Sequence, residues 1–521
     1  MRIKNILRNC AAGFFNQLLK ELLRFVVRTV FIYRLSEAFL GANGLFTSVL
    51  NMLNIAELGI GGAIAYALYK PLAEQDKEQI KSLMTMYRKA YRIIGLFILA
   101  AGLCLIPVLP WIVKQRIAGL NFYVLYLLYL ANSVVSYFFF AYKSNLLVAD
   151  QKNYIVTLFS SAISIFTALA QILFLLVMPA QSAISFYLYT FLSVLSGIVT
   201  NLFVARQVDR LYPYIKEKNI APVPGEVRKK IVQNIQALSI SRISRVALDS
   251  ADSIIISMAF ASGLSIIGKY SNYTMIVAAV NSVFSMLSTS ITSSLGNLLA
   301  KQDIQESKKI FYSMDLLFKW LYGFCFICLW TLLNPFIGGI WITEDWLLSD
   351  NVVFLICINF LLNGVIFAPM KYIQAAGLYW QARYRYILSA VLNIGLSILF
   401  GVVLGWGLEG IILATTVALV GMTCLDPYVV FKHLFREKVV SYYFSHLCSF
   451  LGIVLTGGLT VFICQNVVPA FTLRNFVIRI FICIVVPNAL WLLLLWRTKI
   501  FKSTVALLRT YVKMIWKIKE K

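Results

Sequence analysis

Residues 14–34, FFNQLLKELLRFVVRTVFIYR, have the length and apolar content of a membrane-spanning helix, yet Lys20, Glu21, Arg24 and Arg28 lie in their middle. At about 100° per residue these four, with Asn16 and Gln17, fall within roughly 140° of the helix circumference. Phe15, Leu18, Leu19, Leu22, Phe25 and Val26 take the rest. A charge at bilayer depth costs on the order of 2.5–3.5 kcal/mol or more. Three cations against one anion leave the stripe at +2, so it requires a hydrated cavity or an anionic partner. Arginine suits a phosphate there: its planar fork donates two parallel hydrogen bonds and it stays charged when desolvated.

A second stripe lies in KIVQNIQALSISRISRVALDSADSIIISMAF, where Arg242, Arg245, Asp249 and Asp252 cluster within about 80° of one helix face. Its charges cancel. Lys20, Arg24, Arg28, Arg242 and Arg245 are therefore the candidate phosphate ligands, and Glu57, Asp249, Asp252 and Asp315 the candidates for cation coupling, although no spacing among them names an ion. The competing reading is intrahelical pairing, Glu21 with Arg24 at i, i+3 and Arg245 with Asp249 at i, i+4, which lowers the cost of burial without a ligand. Lys319 and Arg479, near helix ends, are expected to snorkel toward water. His433 and His446 are expected at the membrane surface. Cys325-x-x-Cys328 sits in an apolar run with no histidine near it and reads as packing. No metal or cofactor is expected. The chain has no phosphate-cradling Gly-rich Lys-Ser/Thr loop and no Ser/His/Asp or His/Glu constellation in a polar segment, so an enzyme is not expected.

The elements that position these residues follow from composition. With 521 residues, 60% of them hydrophobic and 13% charged, and a mean hydropathy of +0.80, the expectation is an all-α polytopic membrane protein. About fourteen transmembrane helices are read, the first over 12–34 and the last over 475–496. The opening MRIKNILRNCAAGFF lacks an uninterrupted apolar stretch followed by a small-residue cleavage site, so no cleavable leader is expected. With both termini cytoplasmic, 35 of the 47 lysines and arginines fall on the cytoplasmic side, 5 on the outer side and 7 inside helices. That asymmetry is the positive-inside pattern. It assigns the net charge of +25 to cytoplasmic loops rather than to a nucleic-acid surface.

An internal repeat divides the chain. Residues 72–81, LAEQDKEQIK, match 299–308, LAKQDIQESK, at an offset of 227, and Lys143/Lys371, Ser161/Ser389 and Ala162/Ala390 recur at an offset of 228. Parallel six-helix units place an N-terminal lobe at 1–206, a cytoplasmic linker at 207–229 and a C-terminal lobe at 230–433. Helices 13 and 14 occupy 434–497, and a basic amphipathic tail at 498–521 suits an anionic leaflet.

The segments Glu57-Leu58-Gly59-Ile60-Gly61, Asp252-Ser253-Ile254-Ile255-Ile256-Ser257 and Gly268-Lys269-Tyr270-Ser271-Asn272-Tyr273, set in a 12+2 helix pattern, resemble bacterial Wzx-type polysaccharide flippases of the multidrug/oligosaccharidyl-lipid/polysaccharide exporter superfamily. The resemblance implies a two-lobed, V-shaped, multi-pass protein of the bacterial cytoplasmic membrane. It implies alternating access and transfer of undecaprenyl-pyrophosphate-linked oligosaccharide repeat units to the outer leaflet for capsule, O-antigen or similar polymers. It also implies that Arg24 or Arg28 and Arg242 or Arg245 meet the pyrophosphate, and that a glycan polymerase and glycosyltransferases of the same pathway are partners. Three other readings stand beside it: a cation-coupled multidrug exporter of the same fold, a membrane glycan polymerase or glycosyltransferase, and a scaffold without transport, which would leave buried cations unexplained. Against the second, the outer loops are short, and the first of them, LSEAFLGAN, offers Glu37 as its one charge.

Overall fold

The computed structural model describes residues 2–54, 60–217, 222–225, 228–229, 231, 243, 246, 248, 250–300, 303–470, 472–506 and 509. Among these residues the chain is helical and contains no strand, as expected where backbone polar groups in lipid must be satisfied within their own segment. Among the described residues eight helices are long and apolar enough to cross a membrane, and up to ten spans result if each of two bent pairs counts as one. The charged first helix is not among them. The chain is an all-α polytopic membrane protein.

Two compact units form, one of Asn16–Gly268 and one of Met1–Phe15 with Lys269–Lys521. The first contains α1 (Arg2–Arg34) from Asn16 onward, α2 (Glu37–Leu53), α3 (Ile60–Glu74), α4 (Lys77–Cys104), α5 (Phe122–Phe138), α6 (Ser144–Ala149), α7 (Asn153–Val177) and α8 (Ala183–Leu211). The helix Ser250–Ala259 packs with this unit. Ser257 Oγ donates to the Ile112 carbonyl at 2.6 Å, and Gln115 both accepts from the Ser265 amide at 3.0 Å and donates to its hydroxyl at 2.9 Å. Two glycines permit this approach: a Cβ on Gly41 would lie 1.7 Å from the Leu264 carbonyl oxygen, and one on Gly268 would lie 2.1 Å from that of Glu37.

The second unit contains α9 (Gly263–Ala300) from Lys269 onward, α10 (Ile304–Phe336), α11 (Asp350–Val365), α12 (Phe367–Ala375), α13 (Arg383–Leu396), α14 (Gly407–Val430), α15 (Val440–Val467) and α16 (Leu473–Leu495). The last two dock on α10. Trp320 donates to Asn488 at 2.8 Å, Trp491 donates to Thr456 at 3.2 Å, and the two indoles meet edge to face at 5.7 Å.

The sequence repeat corresponds to repeated structure. Asp76 and Asp303 each cap a helix by accepting from the amide three residues on, Gln79 and Glu306, both at 2.9 Å. Lys81 reaches Glu217, just beyond α8, at 2.7 Å, and Lys308 reaches Glu437, just beyond α14, at 2.5 Å. A helix breaks in each unit, by 50° between α5 and the short segment Ala141–Ala149 and by 40° between α11 and α12. Just past each break a buried lysine stands over a phenyl ring, Lys143 over Phe140 at 4.8 Å and Lys371 over Phe367 at 5.2 Å. Lys143 is further paired with Asp209 at 2.5 Å. Lys371 instead donates to Gln374 at 2.9 Å. These fastenings define a basic end of each unit.

At the basic end of the first unit, outside the spans, Asp150 accepts from Lys152 at 2.7 Å and from the Tyr212 hydroxyl. Burial pushes the Asp150 carboxyl up, but the hydrogen bonds from Lys152 and Tyr212 outweigh it and hold it below the ordinary carboxylate range. Burial, reinforced by Asp150, pushes the Tyr212 hydroxyl up to about 12.

Two expectations follow from this packing. Gly41→Ala, which sets a methyl into a carbonyl, is expected to cost about 1–3 kcal/mol, whereas Gly452→Ala, with open space around it, should stay within about 0.5 kcal/mol of the parent; thermal unfolding of the purified protein in detergent reads both. For Asp150 the depressed pKa places its stabilisation above the carboxylate range and removes it as pH falls through the folded value. Asp150→Asn should therefore lower stability by up to about 1 kcal/mol near neutral pH, and the gap to the parent should close on titration below the ordinary carboxylate range.

Candidate functional site

The charged stripe of α1 lies in the first unit, and its four charges meet different surroundings. Glu21 accepts from Gln17 at 2.8 Å and from Arg24 at 2.9 Å, both within α1. The intrahelical pair read from the sequence is thus present. Its arginine nevertheless keeps 59% of its side chain exposed while Glu21 keeps 15%. Were this helix set in lipid, a guanidinium so exposed would need water or an anion beside it, given what a charge costs in hydrocarbon. Lys20 is half-buried and donates to Ser160 on α7 at 3.4 Å. Arg28, also half-buried, lies beside the phenols of Tyr129 on α5 and Tyr189 on α8.

Around these cations the first unit supplies neutral polar groups. Tyr129 donates to the Asn43 side chain on α2, and Gln171 donates to the Tyr189 carbonyl and to Ser193 Oγ, both at 3.0 Å. On α7 the hydroxyls of Ser160, Ser161, Ser164 and Thr167 turn back to carbonyls of their own helix, which satisfies them in lipid while leaving their oxygens able to accept. One turn beyond Arg28 the lane ends in aromatics: Phe31 meets Phe186 at 5.6 Å and Tyr189 at 5.1 Å, both edge to face, and Phe39 meets Phe186 at 5.6 Å. The arrangement is a cationic lane on one helix, edged by hydroxyl and carboxamide groups and closed by rings. Chemically it can hold an anionic oxygen cluster through charge-assisted hydrogen bonds. Asn43, Tyr129, Ser160 and Tyr189 were not among the residues singled out by sequence, although the recurrence of Ser160, Ser164, Thr167 and Gln171 at three- and four-residue spacing marks one face of α7.

The other candidates divide. Arg242, Arg245, Asp249 and Glu57 lie outside the described residues. Asp252 is buried in the helix Ser250–Ala259. Asp315 is buried in α10, where it pairs with Lys319 at 2.6 Å and accepts from Tyr442 at 3.0 Å. Lys319 therefore does not snorkel: it is buried, bonded to Asp315 and set 5.1 Å over the Tyr442 ring, because a carboxylate one turn away offers better solvation than a long reach to water. Arg479 does not snorkel either. It is buried and donates to the carbonyls of Val468 at 3.1 and 2.7 Å and of Pro469 at 3.3 Å, satisfying backbone groups at the end of α15. His446 is buried in α15 beside Tyr442, with rings 5.4 Å apart, rather than at a surface.

A further buried ion pair, Arg385 on α13 with Asp426 on α14, was not anticipated. It heads a row of buried polar residues one turn apart, Arg385, Ser389, Asn393 and Ser397, in which Asn393 donates to Thr415 at 2.7 Å. The four-residue spacing was visible in the sequence; the partner helix was not. Among the described residues no group of histidine, cysteine and carboxylate side chains has the arrangement of a metal site.

No protein-family model matches the chain, and no curated protein matches its sequence. Its fold is similar to solved structures. One is the lipid II flippase MurJ in an inward closed conformation, with a TM-score of 0.65 and 16% identity over 92% of this chain and 98% of that one. Another is an inward-facing multidrug resistance MATE family transporter of the MOP superfamily, with a TM-score of 0.62 and 15% identity over 79% of this chain and 94% of that one. A third is a MOP superfamily transporter from Pyrococcus furiosus, described as having a binding pocket of reversed polarity that suggests a different function, with a TM-score of 0.52 and 14% identity over 82% and 94% of the two chains. At these identities the likeness establishes the fold: a multi-pass helical architecture shared with membrane transporters and a flippase.

Proposed function

We propose that this chain is a flippase of the multidrug/oligosaccharidyl-lipid/polysaccharide exporter superfamily, carrying polyprenyl-pyrophosphate-linked oligosaccharide from the cytoplasmic to the outer leaflet by alternating access. The carrying observation is the α1 stripe: Lys20, Arg24 and Arg28 against Glu21, in a helix of spanning length, with Arg24 exposed and Arg28 among phenols. A polyprenyl-pyrophosphate glycan presents an anionic head, a hydrophilic sugar and an apolar tail. A cationic lane open to lipid holds the first while the tail stays in the bilayer, and the cost of charges at depth is offset by binding phosphate. A lane of net positive charge disfavours the organic cations a multidrug exporter would take.

In this reading the termini and the basic end face the cytoplasm, and Arg242 and Arg245 join α1 in meeting the pyrophosphate. With the cell interior negative, outward movement of an anion is downhill by about 2.3 kcal/mol per charge per 100 mV, which supplements any cation taken up at Glu57, Asp249, Asp252 or Asp315. Glycosyltransferases that build the repeat unit and a polymerase that consumes it are the functional partners, and the product is a surface polysaccharide.

Arg24→Ala and Arg28→Ala are each expected to reduce appearance of the glycan at the outer leaflet at least about tenfold, with lipid-linked oligosaccharide accumulating on the inner leaflet and normal membrane insertion. Arg28→Lys, which keeps the charge but loses the planar fork, should fall between. Leaflet-resolved labelling of the lipid-linked pool reads the effect. Unchanged surface glycan in both alanine variants and in the double variant would exclude the assignment.

A further inference from the structure

The second unit contains a cavity of about 550 Å³, far along the chain from α1. It lies where the C-terminal ends of α10 and α15 meet the N-terminal ends of α11 and α16, at the end of the unit opposite Lys308 and Glu437. The neighbouring connection, Trp341–Asp350, carries no lysine or arginine, so the positive-inside pattern places this end on the outer side. The volume is that of a small-molecule site, for which roughly 300–1,000 Å³ is usual.

Its lining combines rings, carboxamides and two opposite charges with Thr331, Val461, Cys464 and two prolines. Trp330 and Phe354, with rings 4.7 Å apart and tilted by 52°, form an aromatic wall. Asn351 and Gln465, both exposed, bring carboxamides that donate and accept. Asp350 and Arg479 supply one charge of each sign. Asn334 donates to Asp350 at 2.8 Å, fixing the carboxylate in place, and Arg479 directs its Nε and one terminal nitrogen to the Val468 and Pro469 carbonyls.

That chemistry selects by exclusion. A phosphate needs convergent cationic donors, and the guanidinium here is engaged with backbone carbonyls and opposed by a carboxylate. An organic cation would want an excess of acid over base, and a prenyl chain would want unbroken apolar walls. A neutral ligand rich in hydroxyl groups fits: its C–H faces lie against the rings while its hydroxyls exchange hydrogen bonds with the carboxamides and the carboxylate. We infer that this cavity is a carbohydrate site that takes a short neutral oligosaccharide on the outer side of the protein. It shares no residue with the α1 stripe, so it stands or falls separately from the proposed cargo transfer.

The test uses the full chain in lipid nanodiscs and saturation-transfer NMR, with a panel of neutral di- and trisaccharides of hexose and N-acetylhexosamine units as probes and with inorganic pyrophosphate and a short prenyl alcohol as controls. Binding of a panel member, weakened at least about tenfold in Asn351→Leu and Gln465→Leu while the unfolding temperature is unchanged, is the expected result. Trp330→Phe, which keeps an aromatic wall, should retain binding, guarding against a pocket that has merely collapsed. Failure of every saccharide to bind, equal binding by the leucine variants, or displacement of the saccharide by pyrophosphate or the prenyl alcohol would overturn the inference.

Discussion

The constraint on which this molecule turns is the price of charge inside helices that must sit in hydrocarbon. Burying an ion is tolerable only where a partner of opposite charge or a set of oriented dipoles replaces water. The structure meets that demand in several ways: Lys143 with Asp209, Asp315 with Lys319 and Tyr442, Arg385 with Asp426, and Arg479 with backbone carbonyls. Against that background the α1 stripe stands out, because Arg24 remains largely exposed even with Glu21 beside it. Charges fastened on all sides hold a fold together.

The repeat shows how the same constraint is met twice. Each unit caps a helix with an aspartate (α4, α10), fastens that helix by a lysine to a glutamate past α8 or α14, and breaks a helix (after α5, after α11) just before a lysine held over a phenyl ring. Where the units differ is in how the lysine past the break is completed, by a carboxylate in the first and by a carboxamide in the second. The second unit adds α15 and α16, anchored to α10 through Trp320 and Trp491, and the C-terminal end of α15 and the N-terminal end of α16 complete the cavity near Trp330.

Much of this was legible before any coordinates. Hydropathy and the distribution of lysine and arginine indicate the helical, multi-pass class, and a match at an offset of 227 locates the two capped, fastened loops. The pairing of Glu21 with Arg24 follows from their spacing on one helix. Lys319 illustrates where reasoning by position fails: proximity to a helix end suggested snorkelling, while Asp315 one turn earlier on the same face was the stronger attraction.

By itself, then, the sequence determined the elements: helix periods, caps, breaks and which residues share a face are set by interactions within a few residues along the chain. Tertiary structure decided which faces meet. Asp426 as the partner of Arg385, Tyr129 and Tyr189 around Arg28, and the joining of Trp330, Asp350, Gln465 and Arg479 about one cavity depend on contacts between helices distant in sequence. Those contacts come from side-chain shape and from glycines such as Gly41 that let backbones touch, and neither leaves a periodic trace for a linear reading to find.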